Sequence, residues 1–208
     1  VVQNMDNRTS EVRNCVIADN TVAPGTACEG GGLWAGYTAP LTFVFVVSNC
    51  TFRNNRALTT SGMGGGLFIS TYLGWSLTAD SVFENNQAGN GGAVGLKYAD
   101  AGNRVRGHEF ERCVLRGNTA GAIFGGGGIS CGAPCNVIMR NCLMTENRAT
   151  NAANSFGGAF AHGDNSRITT QQFINCTIVS NAAPYGGGGI YIRDWSGVSM
   201  PNAVMIMV

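Results

Sequence analysis

Residues 49–55 read Asn49-Cys50-Thr51-Phe52-Arg53-Asn54-Asn55, and this block decides the fold because it recurs. Its counterparts run 14–20, 80–86, 112–118, 141–147 and 175–181. The second column holds Cys15, Cys50, Ser81, Cys113, Cys142 and Cys176, spaced 35, 31, 32, 29 and 34 residues apart. Two residues later stands a large apolar side chain: Ile17, Phe52, Phe83, Leu115, Met144 or Ile178. The last column is asparagine throughout: Asn20, Asn55, Asn86, Asn118, Asn147 and Asn181. After a variable gap each copy is followed by a glycine block: Gly31-Gly32-Leu33, Gly65-Gly66-Leu67, Gly92-Ala93-Val94, Gly127-Gly128-Ile129, Gly158-Ala159-Phe160 and Gly188-Gly189-Ile190. Fixed blocks with elastic gaps describe a coil whose loops vary in length.

Alternation with period two makes the first block a strand whose Cys and apolar columns share a face. No helix-period segment separates the copies, so βαβ crossovers are excluded. Each copy repeats in the same direction, so hairpins are excluded too. The remaining solution is an all-β, parallel β-helix (solenoid) of about six to seven rungs, a single segment spanning residues 1–208. Equivalent residues then stack about 4.8 Å apart. The asparagine column is expected to supply the left-handed bend residue and a ladder of bonded amides. The doubled glycines are expected to supply positive φ and close approach at the next strand. Leu33, Leu67, Val94, Ile129, Phe160 and Ile190 then face inward. Trp34, Phe68 and Tyr191 face outward, where Trp34 and Phe68 form a candidate binding strip unless loop residues fold over them. Residues 202–205 match the start of a seventh block, and the apolar end at Val208 is read as a cut within a rung of a longer chain.

Composition agrees. Glycine accounts for 31 of 208 residues, roughly twice the ordinary share, without the period of collagen. A net charge of +1 argues against a nucleic-acid partner and against an acidic tail. No apolar run reaches the ~18 residues of a membrane span. Eight cysteines and three glycosylation sequons, at Asn7, Asn49 and Asn175, point to an extracellular or cell-surface location. In both sequons that straddle a cysteine the Asn and Thr should face solvent.

The Phe-x-x-Asn motifs ending in Asn55 and Asn86, with Gly91-Gly92-Ala93-Val94 and relaxed copies at Gly157–Phe160 and Met144–Asn147, resemble the repeats of chlamydial polymorphic outer-membrane proteins. The resemblance covers most of residues 12–192. It implies a right-handed β-helix of pectin-lyase-like form, displayed at a cell surface and often adhesive. It carries no autotransporter barrel or signal in this sequence.

Chemistry is harder to find. Hydrolases on this scaffold need paired carboxylates, and the acids here are scattered. Ala161-His162-Gly163-Asp164 and Ile192-Arg193-Asp194 resemble polygalacturonase fragments on neighbouring rungs, but His162 falls at an inward position, and a satisfied strand histidine is the stronger reading. Cys131 and Cys135 lack a second pair at zinc spacing; a local disulfide across Gly132-Ala133-Pro134 is expected instead. Ladder cysteines are read as buried free thiols, since stacked Cβ atoms lie slightly too far apart for disulfides; Cys28 has no evident partner. No cofactor and no metal is expected. The reading is a structural or adhesive extracellular module whose partners are other protein segments, copies of itself or glycans. The alternatives are a carbohydrate-active enzyme and a glycan-binding module.

Overall fold

The computed structural model describes residues 2–3, 9–23, 25, 28–36, 44–71, 75–98, 107–122, 125–132, 135–164, 169–194 and 204–207. Its described elements are all strands, and every pairing between them is parallel. No helix among the described residues is long and apolar enough to cross a membrane.

Four sheets run along the coil. The block strands Val16–Ala18, Thr51–Arg53, Val82–Glu84, Val114–Arg116, Leu143–Thr145 and Thr177–Val179 form one sheet, six rungs with about five full turns between first and last. Five two-residue strands, from Thr21–Val22 to Arg148–Ala149, form the shortest sheet. Strands that begin after the glycine blocks, such as Leu67–Thr71 and Ile129–Cys131, belong to a third sheet of seven. Strands that precede the cysteine column, such as Val44–Ser48 and Gly107–Glu111, belong to a fourth, also of seven. Register follows the repeat: Phe52 pairs Phe83, and Phe83 pairs Leu115. Alternation in Val44–Ser48 puts Phe45 and Val47 fully inside and leaves their neighbours half-exposed. The Phe52 and Phe83 rings stack with centroids 4.7 Å apart and planes 3° from parallel, within the separation at which aromatic pairs attract.

The asparagine column forms a continuous ladder. Asn20, Asn55, Asn86, Asn118 and Asn147 each donate Nδ2 to the Oδ1 of the next asparagine at 2.9–3.0 Å. Each of these Oδ1 atoms also accepts the backbone N–H of the asparagine before it. The second Nδ2 hydrogen of Asn86 goes to Phe52 O and that of Asn118 to Phe83 O. Asn55, Asn86, Asn118 and Asn147 are fully buried, so their amides replace every bond that water would have supplied.

One expectation about this column is corrected. Left-handed φ falls one residue earlier, at Asp19, Asn54, Asn85, Gly117, Glu146 and Ser180, and again just before the cysteine column, at Asn14, Asn49, Asp80, Arg112, Asn141 and Asn175. The non-glycine values lie between 50° and 60°. The bend therefore belongs to a residue at least partly open to solvent, and the ladder asparagine, freed from turning the chain, aims its amide inward. A similar correction applies to the doubled glycines. Positive φ sits on the preceding residue, as at Gly30 with φ 65°. The doublet itself is small because of crowding: a Cβ on Gly31 would lie 2.5 Å from Gly65 O.

The seventh block is also corrected. Val204–Met207 pairs with Thr170–Ile174 in the sheet that precedes the cysteine column, with Thr170 opposite Val204. The terminal apolar run fits the alternating strand one step earlier in the rung than the block alignment had placed it.

Candidate functional site

Cys50, Cys113 and Cys142 are buried, Cys176 is half-buried, Cys15 is exposed, and all five are free, as is buried Cys28. Ser81 fills the third rung and bonds to Ala79 O at 2.7 Å. The thiols point to carbonyls, Cys142 Sγ to Arg140 O at 3.2 Å, and Cys113 N donates to Cys142 Sγ at 3.4 Å. The hydrogen bond between the two thiols, reinforced by burial, pushes Cys142 up to about 12, and the contact with Cys142 raises Cys176 as well. Burial raises Cys50. The same bond with Cys142 lowers Cys113, whereas the raised thiols of Cys50, Cys142 and Cys176 stay protonated at neutral pH.

The outer face of the glycine-block sheet departs from the expected strip. Trp34 is half-buried, and Phe68 is fully buried with its centroid 6.3 Å from that of Trp34. The loops fold over them. Glu29, Met63 and Asn90 bridge from rung to rung ahead of the sheet. A Cβ on Gly95, the register partner of Phe68, would lie 2.9 Å from Met63 Cβ. Glu29 accepts the Trp34 indole N–H at 3.2 Å and pairs with Lys97 at 3.4 Å. Further along, Phe156 stacks on Tyr191 at 4.2 Å. Aromatics on this face pack against one another in pairs, and Phe68, fully buried, offers nothing to a ligand.

Of the sequons, Asn7 lies outside the described residues. Asn49 and Asn175 are exposed, and each donates to the matching asparagine one rung back, Asn14 at 2.8 Å and Asn141 at 2.6 Å. Thr51 and Thr177 are also accessible.

The described acids mostly face basic partners. Arg112 grips Asp80 with two bonds, at 2.6 and 2.9 Å, and also contacts Glu111. Its guanidinium holds the Asp80 carboxyl below the usual range, and Arg13 does the same for Glu11. Arg116 meets Glu84 at 2.6 Å, and Arg140 meets Glu109 at 3.4 Å. The side chain of Asp164 lies outside the described residues.

Two histidines are buried. His108 faces Ser76 Oγ at 2.8 Å in the column Phe45, Ser76, His108, Val137, Gln171, and burial pushes its ring down to about 4. His162 meets Thr169 Oγ1 at 3.0 Å through Nε2. Its register partner is Cys131, which is joined to Cys135 by a disulfide with a Cα separation of 6.7 Å. The pairing of Val137 with Gln171 sets Cys135 level with Thr169. One corner of the coil is thus closed by a disulfide in one rung and by a His–Thr bond in the next. Gln171 Nε2 donates to Cys135 O at 3.0 Å and ties the two together. The sulfurs of Cys131 and Cys135 and a ring nitrogen of His162 lie within 4.8 Å of one another, all buried. Read as an isolated cysteine pair, this corner has no third group. Aligning the glycine blocks would have supplied it, because Cys131 and His162 stand equally far beyond Ile129 and Phe160.

The model for the right-handed beta helix region matches residues 5–204. No curated protein and no solved structure matches the chain. With stacked parallel rungs on one side and a family match over nearly its whole length on the other, the chain belongs to the right-handed beta helix family.

Proposed function

We propose that this chain is a structural, adhesive module of an extracellular or cell-surface protein and not a catalyst. The observation that carries the reading is that recurrent side chains are consumed by packing. Ladder asparagines bond to one another, ladder thiols fill the core, and the doubled glycines admit neighbouring backbone. Acids engaged by arginines on the outer surface leave little for the paired-carboxylate chemistry of glycoside cleavage. The Phe-x-x-Asn and Gly-Gly-Ala-Val motifs, similar to chlamydial polymorphic outer-membrane protein repeats, support surface display, as do exposed Asn49 and Asn175 within sequons.

The test exposes the purified chain to a panel of acidic and neutral polysaccharides and follows new reducing ends and unsaturated products. No turnover is expected. Turnover abolished by His162→Ala or Asp164→Ala overturns the proposal in favour of an enzyme. Glycan-array binding lost in Trp34→Ala replaces it with a glycan-binding module. Unmodified Asn49 and Asn175 in material from the native source would remove the sequons from the argument for secretion.

A further inference from the structure

We propose that Cys131, Cys135 and His162 form a redox-gated site for a thiophilic divalent cation of the zinc class, closed when the two sulfurs are joined and opened when they are reduced.

The donor set is the first reason. Two thiolates and an imidazole suit zinc and its soft neighbours, and they discriminate against calcium and magnesium, which take oxygen ligands. Geometry is the second. With metal–sulfur bonds near 2.3 Å and metal–nitrogen bonds near 2.0 Å, ligand atoms of a tetrahedral site lie about 3.5–3.8 Å apart. Here the three ligand atoms already lie within 4.8 Å of one another. Opening the disulfide lets the sulfurs separate toward that spacing without moving a rung. Preorganisation is the third. Cys131 and His162 are register partners on adjacent strands, and Thr169 Oγ1, 3.0 Å from Nε2, orients the imidazole. All three groups are nearly solvent-free, at 1%, 2% and 3% exposure for Cys131, Cys135 and His162. The three lie at one corner of two successive rungs, unlike the thiol column, whose members stack without an imidazole.

The chemistry balances in two steps. An external dithiol or phosphine reductant supplies two electrons, the Cys131–Cys135 bond breaks, and two protons complete the thiols as the reductant is oxidised. The cation then displaces those two protons and binds both thiolates and one imidazole nitrogen, so uptake is accompanied by proton release. The fourth position is left to water or to an incoming ligand.

Cobalt(II) titrated into the whole chain, oxidised and reduced in parallel, tests this. The reduced protein is expected to develop thiolate-to-cobalt charge-transfer and tetrahedral d–d bands at one equivalent, and zinc should displace them; the oxidised protein should stay colourless. Cys131→Ser with Cys135→Ser should abolish the bands. His162→Ala should weaken binding by more than the roughly 10–100-fold that loss of a mere outer-shell partner costs. Absent bands in the reduced wild type, equal bands in both redox states, or bands untouched by these substitutions overturn the proposal. X-ray absorption at the zinc edge of reduced wild type needs no variant. Two sulfur neighbours and at least one imidazole nitrogen are expected, and a shell of four sulfurs or of oxygen and nitrogen alone refutes the site.

Discussion

The asparagine ladder and buried His108 put the largest single-residue stakes in this chain. Asn118 accepts from the N–H and the Nδ2 of Asn86 and donates to Phe83 O and Asn147 Oδ1. Asn118→Ala strips the acceptor from two buried donors and one donor from each of two buried oxygens. Each orphaned group costs about 1–3 kcal/mol, so a loss of about 4 kcal/mol is expected in urea unfolding. Asn20 stands at the exposed end of the same ladder, where water replaces what alanine removes, and Asn20→Ala should cost about 1 kcal/mol. Equal costs at the two sites would deny the ladder its role. His108 titrates differently. Burial lowers its folded value to about 4, below the ~6.5 of an unfolded histidine. Between those values the unfolded chain binds the extra proton, so stability is full above about pH 6.5, drains as pH falls toward 4 and levels off below. The gap corresponds to about 3 kcal/mol. The stability difference between wild type and His108→Asn should change by that amount between pH 7 and pH 4, at the expense of wild type. A difference constant with pH would mean that the ring is not buried neutral.

At the scale of the element, the glycine blocks let successive strands begin without a side chain between them. A Cβ on Gly92 would lie 2.5 Å from Gly127 O and from the Thr119 backbone N and O. Backbone cannot step aside as a flexible side chain can, so Gly92→Ala should cost about 3 kcal/mol or more, at the upper end of overpacking. Gly121 has ordinary φ, and its Cβ would meet nothing nearer than Ala88 O at 3.9 Å. Gly121→Ala should be neutral or stabilising by about 0.5 kcal/mol. Thermal melts of the two variants check the contrast, and similar melting points would remove crowding as the reason for the blocks. The same elements mark how far the sequence could be read. Strand direction, inward columns and the asparagine ladder follow from spacing alone, because a period-two pattern repeated in register fixes which side chains stack. Burial of Phe68 does not, since alternation assigns it outward and only the path of the Met63 loop reveals what covers it. Nor does the meeting of Cys131 with His162, which sit in separate repeats and become neighbours only once the strands after the glycine blocks are aligned. The placement of Val204–Met207 escaped because a short apolar run fits either of two successive strands.

In the whole molecule each rung touches only the rungs above and below, so stability accumulates from neighbour contacts. Middle rungs have two partners. Val82–Glu84 pairs on both sides, with Thr51–Arg53 and Val114–Arg116. The outermost strands of that sheet have one: Val16–Ala18 pairs with Thr51–Arg53, and Thr177–Val179 with Leu143–Thr145. Side chains follow the same gradient. Phe83 and Leu115 are fully buried, while Ile17 and Ile178 are only partly buried and Val16 is 73% exposed. Local opening free energies should therefore rise from both ends of this 208-residue chain toward its centre. Hydrogen exchange followed by mass spectrometry should find the slowest amides in peptides covering Phe83 and Leu115 and the fastest strand amides in those covering Ile17 and Ile178. Cavities should grade the same way: Leu115→Ala, at a fully buried site, should cost about 3 kcal/mol, and Ile178→Ala, at a partly buried one, about half of that. Exchange that is uniform from end to end, with all rungs opening together, would mean that coupling between rungs exceeds their individual stabilities and that the coil opens as one cooperative body.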